Sequence, residues 1–170
     1  MYFDKPGKEN TQQALKLAAE RAGELNIAEV VVASTTGFTA YQAVEIFDGP
    51  RITAVTYHCG FKEPFKSQMP VDVKTDLQSK GLTVVAASHA LSGLERSIAK
   101  KHSGAYPVLI MADTLRLFGQ GVKVAVEVAV MAADAGALSG EDIIAVGGSG
   151  RGADAALVLK PAHQNNFFDL

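Results

Sequence analysis

Four short apolar runs set the pattern of this chain: residues 28–33 (AEVVVA), 52–57 (ITAVTY), 82–87 (LTVVAA) and 142–147 (DIIAVG). Each is rich in β-branched residues and short enough to be a buried strand. Stretches with helical patterning separate them. Strands that alternate with helices join in parallel, and a parallel sheet needs helices on both faces. A fifth run, ADAALVLK (153–160), follows the fourth across only GGSGRG. That link is too short for a crossover helix, so the fifth strand must return antiparallel. The expected fold is therefore a single α/β domain over residues 1–170. It has three layers and a mostly parallel five-stranded sheet with an antiparallel last strand.

The helices are legible from spacing and punctuation. Ala14, Leu15, Ala18, Ala19 and Ala22 recur on one face of a helix from about Thr11 to Glu24, with Asn10 as its expected N-cap. A second helix runs to about Phe47 and stops at Asp48-Gly49-Pro50. Further helices are expected over 71–80, over 91–101, and from Pro107, which suits a first helical turn. The segment from Gly121 to Gly136 alternates valines as a strand would. Its alanines, its length and the closing Gly136 favour a helix packed on the sheet.

In sheets of this kind ligands bind at the carboxyl ends of the strands, where the strand order reverses. The polar and glycine-rich chemistry of the sequence collects at those ends. After the first strand come Ser34, Thr35, Thr36, Gly37, Phe38 and Thr39, entering a helix. A helix N-terminus offers unpaired N–H groups and a positive dipole end, and four hydroxyls exceed what one cap requires, so the stretch is a candidate phosphate site. The alternative is that the hydroxyls cap the helix and Gly37 makes the turn. After the fourth strand, Gly147, Gly148, Ser149, Gly150 and Arg151 suit an N–H nest with a guanidinium beside it. The alternative there is a glycine-rich reversal. Neither loop is a Walker motif, and no GxGxxG follows the first strand.

After the second strand come His58, Cys59 and Gly60, then a long irregular stretch to Pro70; after the third come Ser88 and His89. Connections this long at a strand end tend to serve function. Adjacent residues on extended chain point apart, which argues against a His58–Cys59 catalytic pair. His89 is the better candidate to face a ligand, as a donor to phosphate or a neighbour to a ring. Tyr57, Phe61, Phe65 and Met69 either cover a flat ring or pin the loop. Lys62 and Lys66 either add positive charge near an anion or are solvated surface lysines. His102 and His163 read as surface residues, and no group has metal-ligand spacing.

With 16 basic and 18 acidic side chains the net charge is -2, which excludes a basic nucleic-acid footprint. A single cysteine excludes an internal disulfide and fits a reducing cytoplasm. The start, MYFDKPGKEN, has no apolar signal core, and the run from Val122 to Ala133 is too short and too charged to span a membrane. Phe167, Phe168 and Leu170 at the other end imply a tail that packs, or a further element, and a homo-oligomer.

AEVVVASTTGFTAYQAVEIFDGPRITAVTYH resembles the C-terminal domain of pyruvate kinase. FDKPGKENTQQALKLAAERA, GVKVAVEVAVMAADAG and GGSGRGADAALVLKPA are similar to a stand-alone family of archaeal and bacterial proteins known as pyruvate kinase alpha/beta-domain-like. The resemblance implies the fold of the pyruvate kinase C-terminal domain. In the kinase this domain is not catalytic and holds an allosteric sugar bisphosphate between a Ser/Thr-Gly loop and a glycine-rich loop. Here those loops correspond to Ser34, Thr35, Thr36, Gly37 and Thr39, and to Gly147 through Gly152. The catalytic barrel has no counterpart, so phosphoryl transfer from phosphoenolpyruvate is not expected. The stand-alone family is implied to hold flavin mononucleotide in this crevice. Phe38 departs from the kinases, which tend to carry a basic residue there, and Leu170 ends the chain earlier than the family's usual last strand.

The expectation is thus a phosphate-anchored small-ligand protein, with flavin mononucleotide (FMN) as the best single ligand. His58, Cys59, Gly60, Ser88 and His89 would border the ring. One alternative is a flavin-dependent oxidoreductase or phospho-sugar enzyme using His89 or His58 as acid and base. The other is an oligomeric sensor domain for a phosphorylated metabolite.

Overall fold

The computed structural model describes all of residues 1–170. Five strands form one sheet in the order β3-β2-β1-β4-β5. They are β1 (Glu29–Ala33), β2 (Arg51–Tyr57), β3 (Thr83–Ala87), β4 (Ile143–Gly147) and β5 (Ala155–Leu159). The first four run parallel, and β5 pairs antiparallel with β4, Ile143 opposite Leu159 and Gly147 opposite Ala155. The short GGSGRG link therefore does what its length requires.

Side chains alternate along each strand, so the sheet feeds two separate cores. On one face Val30, Val32, Ile52, Ala54 and Ile144 pack with α1 (Thr11–Leu25), α2 (Phe38–Ile46) and Leu77 of α3 (Val71–Ser79). On the other, Val31, Val55, Val85, Ile143 and Ala145 pack against α6 (Gln120–Asp134), which is helical despite its valines. Its alanines let it lie close to the sheet: a Cβ on Gly147 would collide with the Gly121 carbonyl and Ala125 backbone. Helix α5 (Pro107–Arg116) packs on α6, and α4 (Glu95–His102) packs on α5. No helix is long and apolar enough to cross a membrane.

Several local readings need correction. Asn10 does not cap α1: its backbone is already helical, and its side chain donates to the Lys5 carbonyl instead. Residues 8–10 form a 3-10 turn that leads directly into the helix. The helix expected over 91–101 begins only at Glu95, because Gly93 takes a positive φ of 39° and breaks the first turn. At the chain end Phe167 and Leu170 pack beside Leu91, Ala112 and Val126, while Phe168 points outward.

Candidate functional site

The four loops predicted to carry chemistry lie side by side along the carboxyl edge of the sheet, because the strands before them are parallel. Strand order reverses between β1 and β4: the chain moves from β1 toward β2 on one side and reaches β4 on the other. The 34–39 loop and the 147–152 loop flank that reversal.

In the first loop the hydroxyls divide their roles. The Ser34 hydroxyl is buried and accepts the Ala40 N–H, so it caps α2 from within. Thr39 is buried as well. The Thr35 carbonyl accepts the Thr56 hydroxyl, which ties the loop to the end of β2. The backbone N–H groups from Thr35 through Thr39 meet no protein acceptor, and Thr36 is exposed. Gly37 is buried with φ 98°, and Val73 of α3 and Tyr41 occupy the space a Cβ would need. Packing within the protein therefore explains this glycine. Phe38 carries a feature invisible in the sequence: the Lys8 ammonium lies 4.1 Å from its ring centroid. A positive charge thus reaches this loop from the N-terminal turn rather than from the loop itself.

The glycine-rich loop differs more from expectation. Its nest is partly filled by the chain itself, since one oxygen of Asp154 accepts the N–H groups of Gly7 and Ser149. The Ala153 N–H donates to the buried Thr11 hydroxyl. Lys8 packs directly on Gly152, where a Cβ would strike its backbone. Gly148 lies tight against Gly152. Gly150 and Arg151 face solvent, and the Arg151 guanidinium has no protein partner. The N-terminal turn touches both loops, the Lys8 backbone lying against Gly152 and its ammonium over the Phe38 ring. A groove of about 1040 Å³ lies nearby, between the first residues, α1 and β5. It takes in Ser149 and Asp154 but no residue of the 34–39 loop.

The ends of β2 and β3 form a second cluster. Phe61 folds back so that its ring stacks on His89, centroids 4.5 Å apart. Tyr57 lies 5.0 Å and His58 5.6 Å from His89. His89 is only 9% exposed, and its Nδ1 is buried with no hydrogen-bond partner. Burial holds its pKa below the usual histidine value, against the opposing pull of Glu127. His58 Nδ1 donates to the Cys59 carbonyl, which fixes its tautomer when neutral. Cys59, Gly60 and Ser88 are exposed, and Phe65 projects almost wholly into solvent.

Beneath this cluster lies a pair the sequence reading passed over as interruptions of an apolar run. Lys123 and Glu127 are both buried on α6 and joined by an ion pair. Glu127 also accepts the Leu91 N–H, anchoring the turn that carries His89. Burial lowers the Lys123 pKa, while Glu127 opposes that shift. Their i, i+4 spacing was the available signal. Arg96 of α4 completes the cluster, its guanidinium 5.1 Å from the Phe61 centroid.

The family model for the pyruvate kinase alpha/beta domain matches residues 12–159. The chain belongs to that family. Three crystal structures of pyruvate kinase from Cryptosporidium parvum are similar to it at 14–15% identity, one of them in complex with ADP. They match over 89%, 93% and 94% of this chain, with TM-scores of 0.44, 0.43 and 0.45. The chain spans only 22–25% of the length of those kinases. Within the pyruvate kinase alpha/beta domain family, the matched stretch contains both strand-end loops and the His89 cluster, while Lys8 lies ahead of it.

Proposed function

We propose that this member of the family binds a small phosphorylated ligand at the carboxyl edge of the sheet, with FMN the best single candidate. The observation that carries this is the start of α2. Its free N–H groups, the exposed Thr36 hydroxyl and the Lys8 ammonium over Phe38 make one donor-rich, positively charged locus. Arg151 is the further cation available from the glycine-rich loop. Tyr57, His58, Phe61 and His89 would border the ring. Two strand spacings separate β1 from β3, roughly 10 Å, a span suited to a ligand with a phosphate at one end and a ring at the other. The flavin, when bound, would supply a ring able to accept and release a hydride.

Charge-assisted hydrogen bonds contribute about 1.5–3 kcal/mol each, so three or four suffice for micromolar binding. Titration followed by flavin fluorescence tests the reading. FMN should bind at least about tenfold more tightly than riboflavin, and Lys8→Ala or Thr36→Ala should erase that margin. Equal affinity for the two flavins overturns it.

A catalytic reading is favoured by one observation, the buried imidazole of His89 held neutral near pH 7 beside an accessible edge. A flavin-dependent oxidoreductase would be reduced by a nicotinamide donor at turnover rates. A phospho-sugar enzyme would instead transform its ligand without redox change. The sensor reading, in which a homo-oligomer responds to a phosphorylated metabolite, predicts a ligand-dependent change in sedimentation. Binding without either response leaves the plain ligand-binding reading in place.

A further inference from the structure

We propose a second binding site at the ends of β2 and β3, in which Arg96, His89 and His58 take an oxyanion group of a small ligand whose planar part lies on Phe61. The site lies apart from the start of α2 but shares His58, Phe61 and His89 with the ring border proposed for the flavin, and its test does not require a flavin to bind.

Local charge carries the argument. Lys123 is cancelled by Glu127 and Arg116 by Asp113, but Arg96 has no carboxylate within ion-pair distance. Its guanidinium is held against an aromatic ring, an arrangement that leaves its N–H fork free for a carboxylate or a phosphate. Glu127 is not its partner: its oxygens are taken up by Lys123 and by the Leu91 N–H. The unsatisfied polar group is His89. Its Nδ1 is buried among Tyr57, His58 and Phe61 without an acceptor or donor, and its ring makes no hydrogen bond within the protein. A buried imidazole left unpaired is costly unless a ligand completes it. His58, with Nδ1 engaged by the Cys59 carbonyl, keeps Nε2 free.

The sign of the pH dependence follows from the groups around His89. From β2 and its loop it faces Tyr57, His58 and Phe61; from α4, Arg96; from α6, Lys123 and Glu127. Burial, with Lys123, Arg96 and any charge on His58, holds it neutral, and only Glu127 opposes them. An added anion joins Glu127 and favours the imidazolium, so binding takes up a proton and strengthens as pH falls.

Phenyl phosphate and benzoate separate the two sources of an oxyanion on a ring. Each is titrated into the full chain while the histidine ring nitrogens are followed by NMR. At least one probe should move the His89 titration to higher pH. Its affinity should fall about tenfold in Arg96→Ala, with partial recovery in Arg96→Lys. Arg96 is half-buried and its side chain makes no hydrogen bond, so truncating it should leave the fold intact. Binding that shifts His89 in a Thr36→Ala protein that no longer favours FMN over riboflavin supports this site independently of the first. If neither probe perturbs His89, or if Arg96→Ala binds as well as the parent, the site is refuted even where FMN binding stands.

Discussion

His89 shows how a side chain's surroundings set its chemistry. Buried under Phe61 with an unpartnered Nδ1, it titrates below the ordinary histidine range. A group held neutral in the fold is protonated more readily in the unfolded chain. Its stabilising contribution is therefore complete above the ordinary value of about 6.5 and fades as pH falls toward the folded pKa. NMR titration of the His89 ring should give a midpoint below the ordinary histidine value, and His89→Phe should flatten the loss of stability on acidification. Gly147 and Gly150 make a complementary pair. Gly147→Ala would drive a methyl into the backbone of Gly121 and Ala125, and urea unfolding should register a loss of at least about 2 kcal/mol. At Gly150 there is open space but a φ of 80°, so Gly150→Ala should cost only about 1 kcal/mol, from backbone strain alone.

Helix α6 unites two roles that its sequence barely separates. Its alanines allow close packing on the sheet, and its Lys123–Glu127 pair reaches under the β3 loop. Removing one partner of a buried pair leaves the other charge uncompensated, which costs about 3–5 kcal/mol. Glu127→Ala should destabilise the protein by that order in chemical denaturation, and it should also free the Leu91 amide to exchange. Replacing both residues, as Lys123→Met with Glu127→Leu, should recover most of the stability, because no charge is left stranded. The amide of Leu91 should exchange rapidly in that double variant all the same.

The molecule closes its own strand-order reversal. Gly7, Lys8 and Thr11 pack onto the glycine-rich loop, and the Asp154 carboxylate accepts one N–H from each segment, Gly7 and Ser149. Part of an anion nest foreseen for a ligand is thereby satisfied within the chain. Asp154→Ala should loosen both segments together, seen as faster hydrogen exchange over 148–153 and over 5–8, with little change at His89. Should only one of the two segments respond, the carboxylate is not the link between them.

Composition, spacing and punctuation determined the strand and helix order, the parallel pairing and the antiparallel return of β5. These follow from side-chain periodicity and link length, which are local properties. The short hydroxyl loop at the start of α2 was legible for the same reason. Lys8 against Phe38, Asp154 inside the glycine loop, Arg96 without a partner and Glu127 beneath His89 were decided only by the tertiary structure. Each joins residues from different segments of the chain, and a charge acquires its partner, or lacks one, only when folding brings those segments within a few ångströms.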